Sequence, residues 1–395
     1  MFIKQLYTNC LSEAAYYIES EGEAAIIDPL RDTAAYLELA KERNANIKYI
    51  FETHFHADFV SGHLDLSKQT GAPIVFGPGA ETNFTIHSAK DGEVFTIGAL
   101  TLEVLHTPGH TLESTCYLLK DPSGNPHALF SGDTLFVGDV GRPDLSSGDM
   151  SSEELASIMY DTIVTKILPL EDHVILYPAH GPGSSCGKNL GPNTFSSIGE
   201  EKKTNYALQP QSREDFVKAV THGLNEAPRY FAINAKINQD GYDELNLVKE
   251  KGMKDLSVDA FKKAMQQDCV ILDTRHASQF TEGFVPGSIF IGLEGRFAEW
   301  AGSILPFDKP IILITEPGKE EETVIRLSRV GFDKMEGYLS GGFEAWRNAG
   351  EKTDLIIDIE ADELMMDIPH DPNLLVVDVR RETEFADGHL ADAVN

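Results

Sequence analysis

The sequence predicts an α/β protein built from more than one domain, and three observations carry that expectation. Short apolar runs rich in β-branched and aromatic residues alternate with Gly, Pro or His-rich turns up to about residue 185. Helix-like stretches intervene, and polar residues gather at the ends of the strand-like runs, where a layered α/β fold places its functional loops. Beyond residue 255 a strand–helix–turn unit occurs twice. At 395 residues the chain exceeds one ordinary core, so two or three domains are expected.

In chain order the strand-like runs include EAAIIDP, IKYIFETH, PIVFGP, LTLEVLHTPGH, HALFSGDTLF and HVILYPAHG. TAAYLELAKER and SEELASIMYDTIV read as helices between them, with Ser151 and Ser152 as N-cap candidates for the second and acids in its first turn. From about 186 to 255 the apolar pattern weakens. There GKNLGPNTF leads into a predicted helix, REDFVKAVTHGL, closing a first domain of residues 1–235, and residues 236–254 read as a linker. In the repeat, ILDTRHASQFTEGFVPGSIF (271–290) aligns with VVDVRRETEFADGHLADAVN (376–395) at a constant offset of 105. Asp273 then matches Asp378, Arg275 matches Arg380, Phe280 matches Phe385 and Gly283 matches Gly388. Both Asp-x-Arg pairs are expected to brace the fold. The second copy, residues 358–395, has barely begun at Asn395 and is expected to be a truncated domain.

Composition narrows the function. A formal charge of -30 argues against nucleic acid or an anionic membrane as a partner. The N-terminus lacks a basic region followed by an apolar one, and no run of about 18 apolar residues occurs, so neither a signal peptide nor a membrane span is expected. Cys10, Cys116, Cys186 and Cys269 are far apart with no C-x-x-C pair, which fits a reducing cytoplasm rather than a disulfide scaffold. Cys10, Cys116 and Cys269 sit within or beside apolar runs and read as buried packing.

The chemistry concentrates at five strand ends: THFHAD, TPGH, SGD, PAHG and GRPD. They supply His54, His56, Asp58, His110, Asp133 and His180. Imidazoles and carboxylates suit zinc, iron or manganese, and no thiolate cluster competes. In H-x-H-x-D, alternate side chains can turn toward one point. Phe59 then stands where a further ligand would be expected.

This ordered set resembles the metallo-β-lactamase superfamily over roughly residues 1–235. The resemblance implies a four-layer αβ/βα sandwich with metal where the two sheets meet. It places His54, His56, His110 and Asp133 around a first metal position and Asp58 and His180 around a second. The superfamily's first motif ends in histidine where this chain has Phe59, so the second position lacks an imidazole and one metal per chain is expected. Residues 255–352 resemble the rhodanese domain through their D-x-R, E-x-G and GGFEAW segments. The loop that carries the rhodanese cysteine reads TEPGKE here, with Thr315 in place of cysteine and Glu320 in place of arginine. This copy therefore looks catalytically dead.

The fusion is similar to the persulfide dioxygenase–sulfurtransferase group of sulfide detoxification, which GDVGRPDL (138–145) and HGPGSSCGKNL (180–190) also resemble. What that implies is a single Fe(II) on His54, His110 and Asp133, with zinc as the alternative ion. His56, Asp58 and His180 become weak ligands or groups that orient the ligands. The implied reaction oxidises a low-molecular-weight thiol persulfide with O2 to sulfite and thiol, coupled to rhodanese sulfur transfer giving thiosulfate. Cys186 is a candidate sulfur relay in a flexible, partly exposed Gly and Ser-rich loop, or a bland loop cysteine. Arg142 either braces its loop against a carboxylate or meets an anionic substrate. The alternative activity is a zinc-dependent thiolester hydrolase of glyoxalase II type. A sulfur-carrier or scaffold role would suit residues 255–350 but leaves the metal constellation without a purpose. Association into a homo-oligomer is left open.

Overall fold

The structure, a computed structural model, describes residues 1–145, 150–224 and 226–395. The first sheet holds β1 (Phe2–Thr8), β2 (Glu13–Ser20), β3 (Glu23–Ile27), β4 (Asn46–Phe51), β5 (Ile74–Phe76) and β6 (His87–Ser88), side by side in that order. Its first three strands are antiparallel and β3 to β6 run parallel. The second sheet orders β7 (Val94–Ile97), β8 (Leu100–His106), β9 (Thr115–Lys120), β10 (Pro126–Gly132), β11 (Ile175–Pro178) and β12 (Ser196–Ser197) likewise. Only β10 and β11 pair in parallel there.

Because successive strand residues point to opposite faces, each sheet buries two apolar sets. Tyr16, Ile18, Ile27 and Phe51 of the first sheet meet Leu102, Val104, Tyr117 and Phe130 of the second. Their neighbours Tyr17, Ile26 and Ile50 face outward under Tyr36 and Leu39 of the helix Ala34–Glu42. Leu118, Leu129 and Leu176 lie under the helices Ser152–Thr162 and Arg213–Thr221. The result is the expected four-layer αβ/βα sandwich. Ser151 caps the helix Ser152–Thr162, its hydroxyl accepting from the Glu154 amide in a capping box.

A third, all-parallel sheet orders its strands as β13 (Asp255–Leu256), β17 (Met335–Leu339), β16 (Ile311–Ile314), β14 (Val270–Asp273) and β15 (Ile289–Phe290). VILD and IILI are buried throughout, as central parallel strands covered on both faces must be. Arg275 grips Asp273 with bonds of 2.9 and 2.6 Å and donates to the Gly283 carbonyl at 2.9 Å. Arg380 repeats the arrangement with Asp378, at 2.9 and 2.6 Å, and with Gly388, at 2.8 Å. The repeat is thus one geometric unit. Thr315 lies buried at the end of β16, and above its loop opens a cleft of about 560 Å³ lined partly by Trp300, Glu316 and Lys319.

The stretch 236–254 is not a linker. It forms parts of two helices, Phe231–Asp240 and Leu245–Gly252, that pack between the units on either side. Their buried residues include Asn234 and Asn238 as well as Phe231 and Val248, so an apolar pattern under-reports them. One apolar core runs through the whole junction, taking Leu11, Phe59 and Phe136 from the first unit and Val248, Phe297 and Leu327 from the second. Two ion pairs flank it: Arg31 with Asp333, two bonds of 2.7 Å, and Arg329 with Asp32 at 2.7 and 2.9 Å. The helix Phe297–Ile304 approaches so closely that a Cβ on Gly302 would stand 2.6 Å from the Tyr230 ring. Only glycine fits that contact.

Candidate metal centre

The strand ends on one side of the sandwich converge as the sequence suggests. His54 follows β4, His110 lies between β8 and β9, Asp133 follows β10 and His180 follows β11. His54 Nε2 lies 3.8 Å and His110 Nε2 3.5 Å from Asp133 Oδ2. These are separations too long for hydrogen bonds. All three side chains are buried, and neither oxygen of Asp133 has a hydrogen-bond partner among the described residues. Leaving such a carboxylate bare is costly, so the orphaned oxygens and facing imidazoles fit a metal ion.

The ring orientations are set from behind. His54 Nδ1 lies 3.0 Å from Thr53 Oγ1, which itself donates to Asp28 Oδ2 at 2.8 Å. His110 Nδ1 lies 2.8 Å from the Arg142 carbonyl. When each Nδ1 carries the proton it donates backward and leaves Nε2 bare toward Asp133, the arrangement a metal-binding imidazole needs. Burial first, then the neighbouring histidines, hold His54 well below the usual imidazole pKa, which keeps its lone pair free. A Cβ at Gly141 would lie 2.0 Å from the Asp133 carbonyl, so GRPD can pass this close only with glycine first. Arg142 pairs with Asp144 at 2.8 and 2.7 Å and donates to the Ser185 carbonyl at 3.3 Å.

His56 turns away. Its Nε2 lies 3.1 Å from Asp28 Oδ1 and 3.2 Å from Glu52 Oε2, and its ring stacks on Phe59 at 4.3 Å. Burial alone would discharge it, but the Asp28 and Glu52 carboxylates outweigh that and hold its pKa well above the usual value. Phe59 is fully buried in the junction core.

Asp58 and His180 form a second group, with His180 Nε2 3.5 Å from Asp58 Oδ2 and also 3.5 Å from Asp133 Oδ1. Cys186 joins them, one donor atom from each of the three lying within 4.8 Å of the others. The expectation of a flexible, partly exposed thiol fails here, because Cys186 is 1% exposed. Its carbonyl accepts from the Arg142 amide at 3.1 Å and its amide donates to Ser184 Oγ at 3.1 Å, so the Gly and Ser-rich loop is pinned. Burial, then the charges of Asp58 and Asp133, push its pKa well above the usual thiol value. All four cysteines are free; Cys116 is buried, while Cys10 and Cys269 are only partly covered.

Sequence reasoning missed the supports. Asp28 closes EAAIIDP, a strand end like the others, and Glu52 precedes the motif by two positions. Glu13 lies fully buried, its backbone bridging His180, with burial raising its pKa well above the carboxylate range. Asn238 clamps the motif loop: its amide donates to the His56 and Phe59 carbonyls at 2.8 Å each and accepts from the Ser61 amide at 2.9 Å. Asn238→Ala should cost about 2–4 kcal/mol in denaturant unfolding, because it leaves buried backbone groups unpaired. A loss under about 1 kcal/mol would show that water replaces the clamp.

Comparison with known proteins agrees with this geometry. Residues 8–180 match the metallo-beta-lactamase superfamily and residues 257–349 the rhodanese-like domain. The chain is 32% identical over 202 residues to bovine mitochondrial persulfide dioxygenase ETHE1, covering 50% of this chain and 71% of that one. It is 33% identical over 165 residues to a probable hydroxyacylglutathione hydrolase of Schizosaccharomyces pombe, covering 41% of this chain and 60% of the relative's length. Among solved structures, a metallo-beta-lactamase from Staphylococcus aureus is similar at 34% identity with a TM-score of 0.76, covering 86% of this chain and 99% of that one. With the sandwich, the convergent histidines and aspartates and the appended parallel sheet all in place, the chain belongs to the metallo-beta-lactamase superfamily and carries a rhodanese-like domain after its metal-binding fold.

Proposed function

We propose that the chain is a persulfide dioxygenase, with one Fe(II) held by His54, His110 and Asp133. The observation that carries this reading is a complete two-histidine, one-carboxylate set in which both Asp133 oxygens are otherwise unpaired, next to a motif that has Phe59 where the superfamily has a further histidine. Such a set leaves open coordination positions for a sulfur ligand and dioxygen, and the bound ion would supply oxygen activation. Per turnover, one persulfide, one O2 and one water give one thiol and one sulfite. His180 Nε2 stands between Asp58 Oδ2 and Asp133 Oδ1, 3.5 Å from each. Burial and the adjacent carboxylates keep the proton on Cys186, which favours a thiol that donates to the substrate sulfur over a free nucleophile. Transfer onward to thiosulfate needs a cysteine that the rhodanese-like unit lacks at Thr315.

One observation favours a second reading. Asp58, His180 and Cys186 offer a carboxylate, an imidazole and a sulfur to one point, a donor set zinc accepts, and a zinc thiolester hydrolase would use it. Protein purified without oxygen should contain about one iron per chain and consume O2 with added persulfide, releasing one sulfite per O2. Firmly held zinc, thiolester cleavage and no persulfide-dependent uptake would overturn the dioxygenase in favour of the hydrolase.

A further inference from the structure

The TEPGKE loop carries neither the thiol nor the guanidinium of a rhodanese, yet a cleft of about 560 Å³ opens above it, a volume typical of small-molecule sites. Phe290, Leu293, Trp300 and Ile304 give it an apolar wall. Trp300 and Ile304 share one face of the helix Phe297–Ile304 and are 59% and 49% exposed. Ala298, Ala301 and Gly302 of the same helix are buried, with Gly302 against Tyr230 at the junction. The helix thus turns two large apolar side chains to solvent inside a concavity, where such exposure marks a binding surface.

The charged groups around the cleft are not evenly matched. Three Lys and Arg side chains line it, and each is already engaged. Arg275 is held by Asp273 and the Gly283 carbonyl, Lys319 pairs with Glu322 at 2.8 Å, and Arg326 donates to the Leu293 and Gly295 carbonyls. Among the acids, Glu316 accepts only the His276 amide, at 3.1 Å, and Glu294 has no partner among the described residues. From this imbalance beside an exposed indole, we infer that the cleft is a binding site for a small organic cation, an ammonium carried on an apolar body. The body lies against Trp300, Ile304 and Phe290 and takes their surface out of water. The ammonium is received by Glu294 and Glu316, and the face of Trp300 adds cation–π attraction. An anion on the same body meets two carboxylates and no free cation. The rhodanese-like domain, without its nucleophile, is thereby a binding module rather than a spent catalyst.

Fluorescence of the full chain tests this directly. The chain has two tryptophans, and Trp346 is buried with its indole N–H on the Lys352 carbonyl, so Trp300 reports the cleft. Three probes share one apolar body and differ in charge: 4-phenylbutylamine, 4-phenylbutanol and 4-phenylbutyrate. At low ionic strength the amine should shift Trp300 emission saturably and bind about fivefold more tightly than the alcohol, with the carboxylate weakest. The double variant Glu294→Gln, Glu316→Gln should bring the amine down to the alcohol and leave the alcohol unchanged. Titration calorimetry with the same probes detects binding that leaves the indole emission unmoved. There Trp300→Ala, a change at an exposed position, should lose most of the amine's affinity. An amine no tighter than the alcohol, a preference that survives the double variant, affinity undiminished by Trp300→Ala, or no saturable binding by either method up to about 10 mM would each overturn the assignment. None of these readouts involves the metal centre, so they stand apart from whichever reaction it runs.

Discussion

His110→Ala is expected to leave a folded chain that retains no stoichiometric iron and has lost at least about a hundredfold of its persulfide-dependent oxygen uptake. The side chain faces Asp133 through Nε2 and is held from behind by the Arg142 carbonyl, so alanine removes a donor from the centre and nothing from the apolar cores. Its loss leaves one imidazole and one carboxylate, too few protein donors to retain the ion through dialysis. Thermal unfolding without metal should change by no more than a few degrees, which separates loss of the centre from loss of the fold. Retained iron together with retained uptake would show that the ion sits elsewhere, with the Asp58, His180 and Cys186 group as the place to look.

Arg31→Ala should have the largest effect on stability. Arg31 is fully buried, makes two 2.7 Å bonds to Asp333, and donates to the Ser328 and Asp243 carbonyls at 3.0 and 2.8 Å. Removing one partner of such a pair strands the other, at a cost of about 3–5 kcal/mol. Because the pair spans the two units, the loss should reach the metal loop, and metal affinity should fall together with the denaturation midpoint. Asp333→Ala should reproduce most of the effect. A double variant no worse than either single one would confirm that the two residues act as a unit.

The parts of the site that were legible in the sequence are those in which one chain segment carries its own signal. His54, His110 and Asp133 each end an apolar run, and the strand period places such ends together. The layered fold was legible for the same reason, since the continuous burial of β2 and β10 and the alternation in β8 are written directly as residue types. The supports were not. Asn238 acts on a loop nearly 180 residues earlier through its amide, and no periodicity marks a buried amide. Glu299 reads as an ordinary first-turn acid, and only packing of the helix Phe297–Ile304 against Tyr230 brings it to a small cavity beside Asp58. Cys186 went wrong in the opposite sense: glycine and serine suggested freedom, whereas the bond from the Arg142 amide and the Gly141–Gly187 bridge fasten that loop.

One backbone bond has a wider reach. The Val60 amide, two residues past Asp58, donates at 2.7 Å to the carbonyl of Arg329 in the rhodanese-like domain. The loop that presents His54 therefore ends in a bond to the other unit, inside a core both units share. Two regions that match different families should then melt as a single cooperative transition, with equal calorimetric and van't Hoff enthalpies across residues 1–350. Hydrogen exchange at the Val60 amide should require that same global opening. Two separable heat-absorption peaks would mean that the units are merely neighbours.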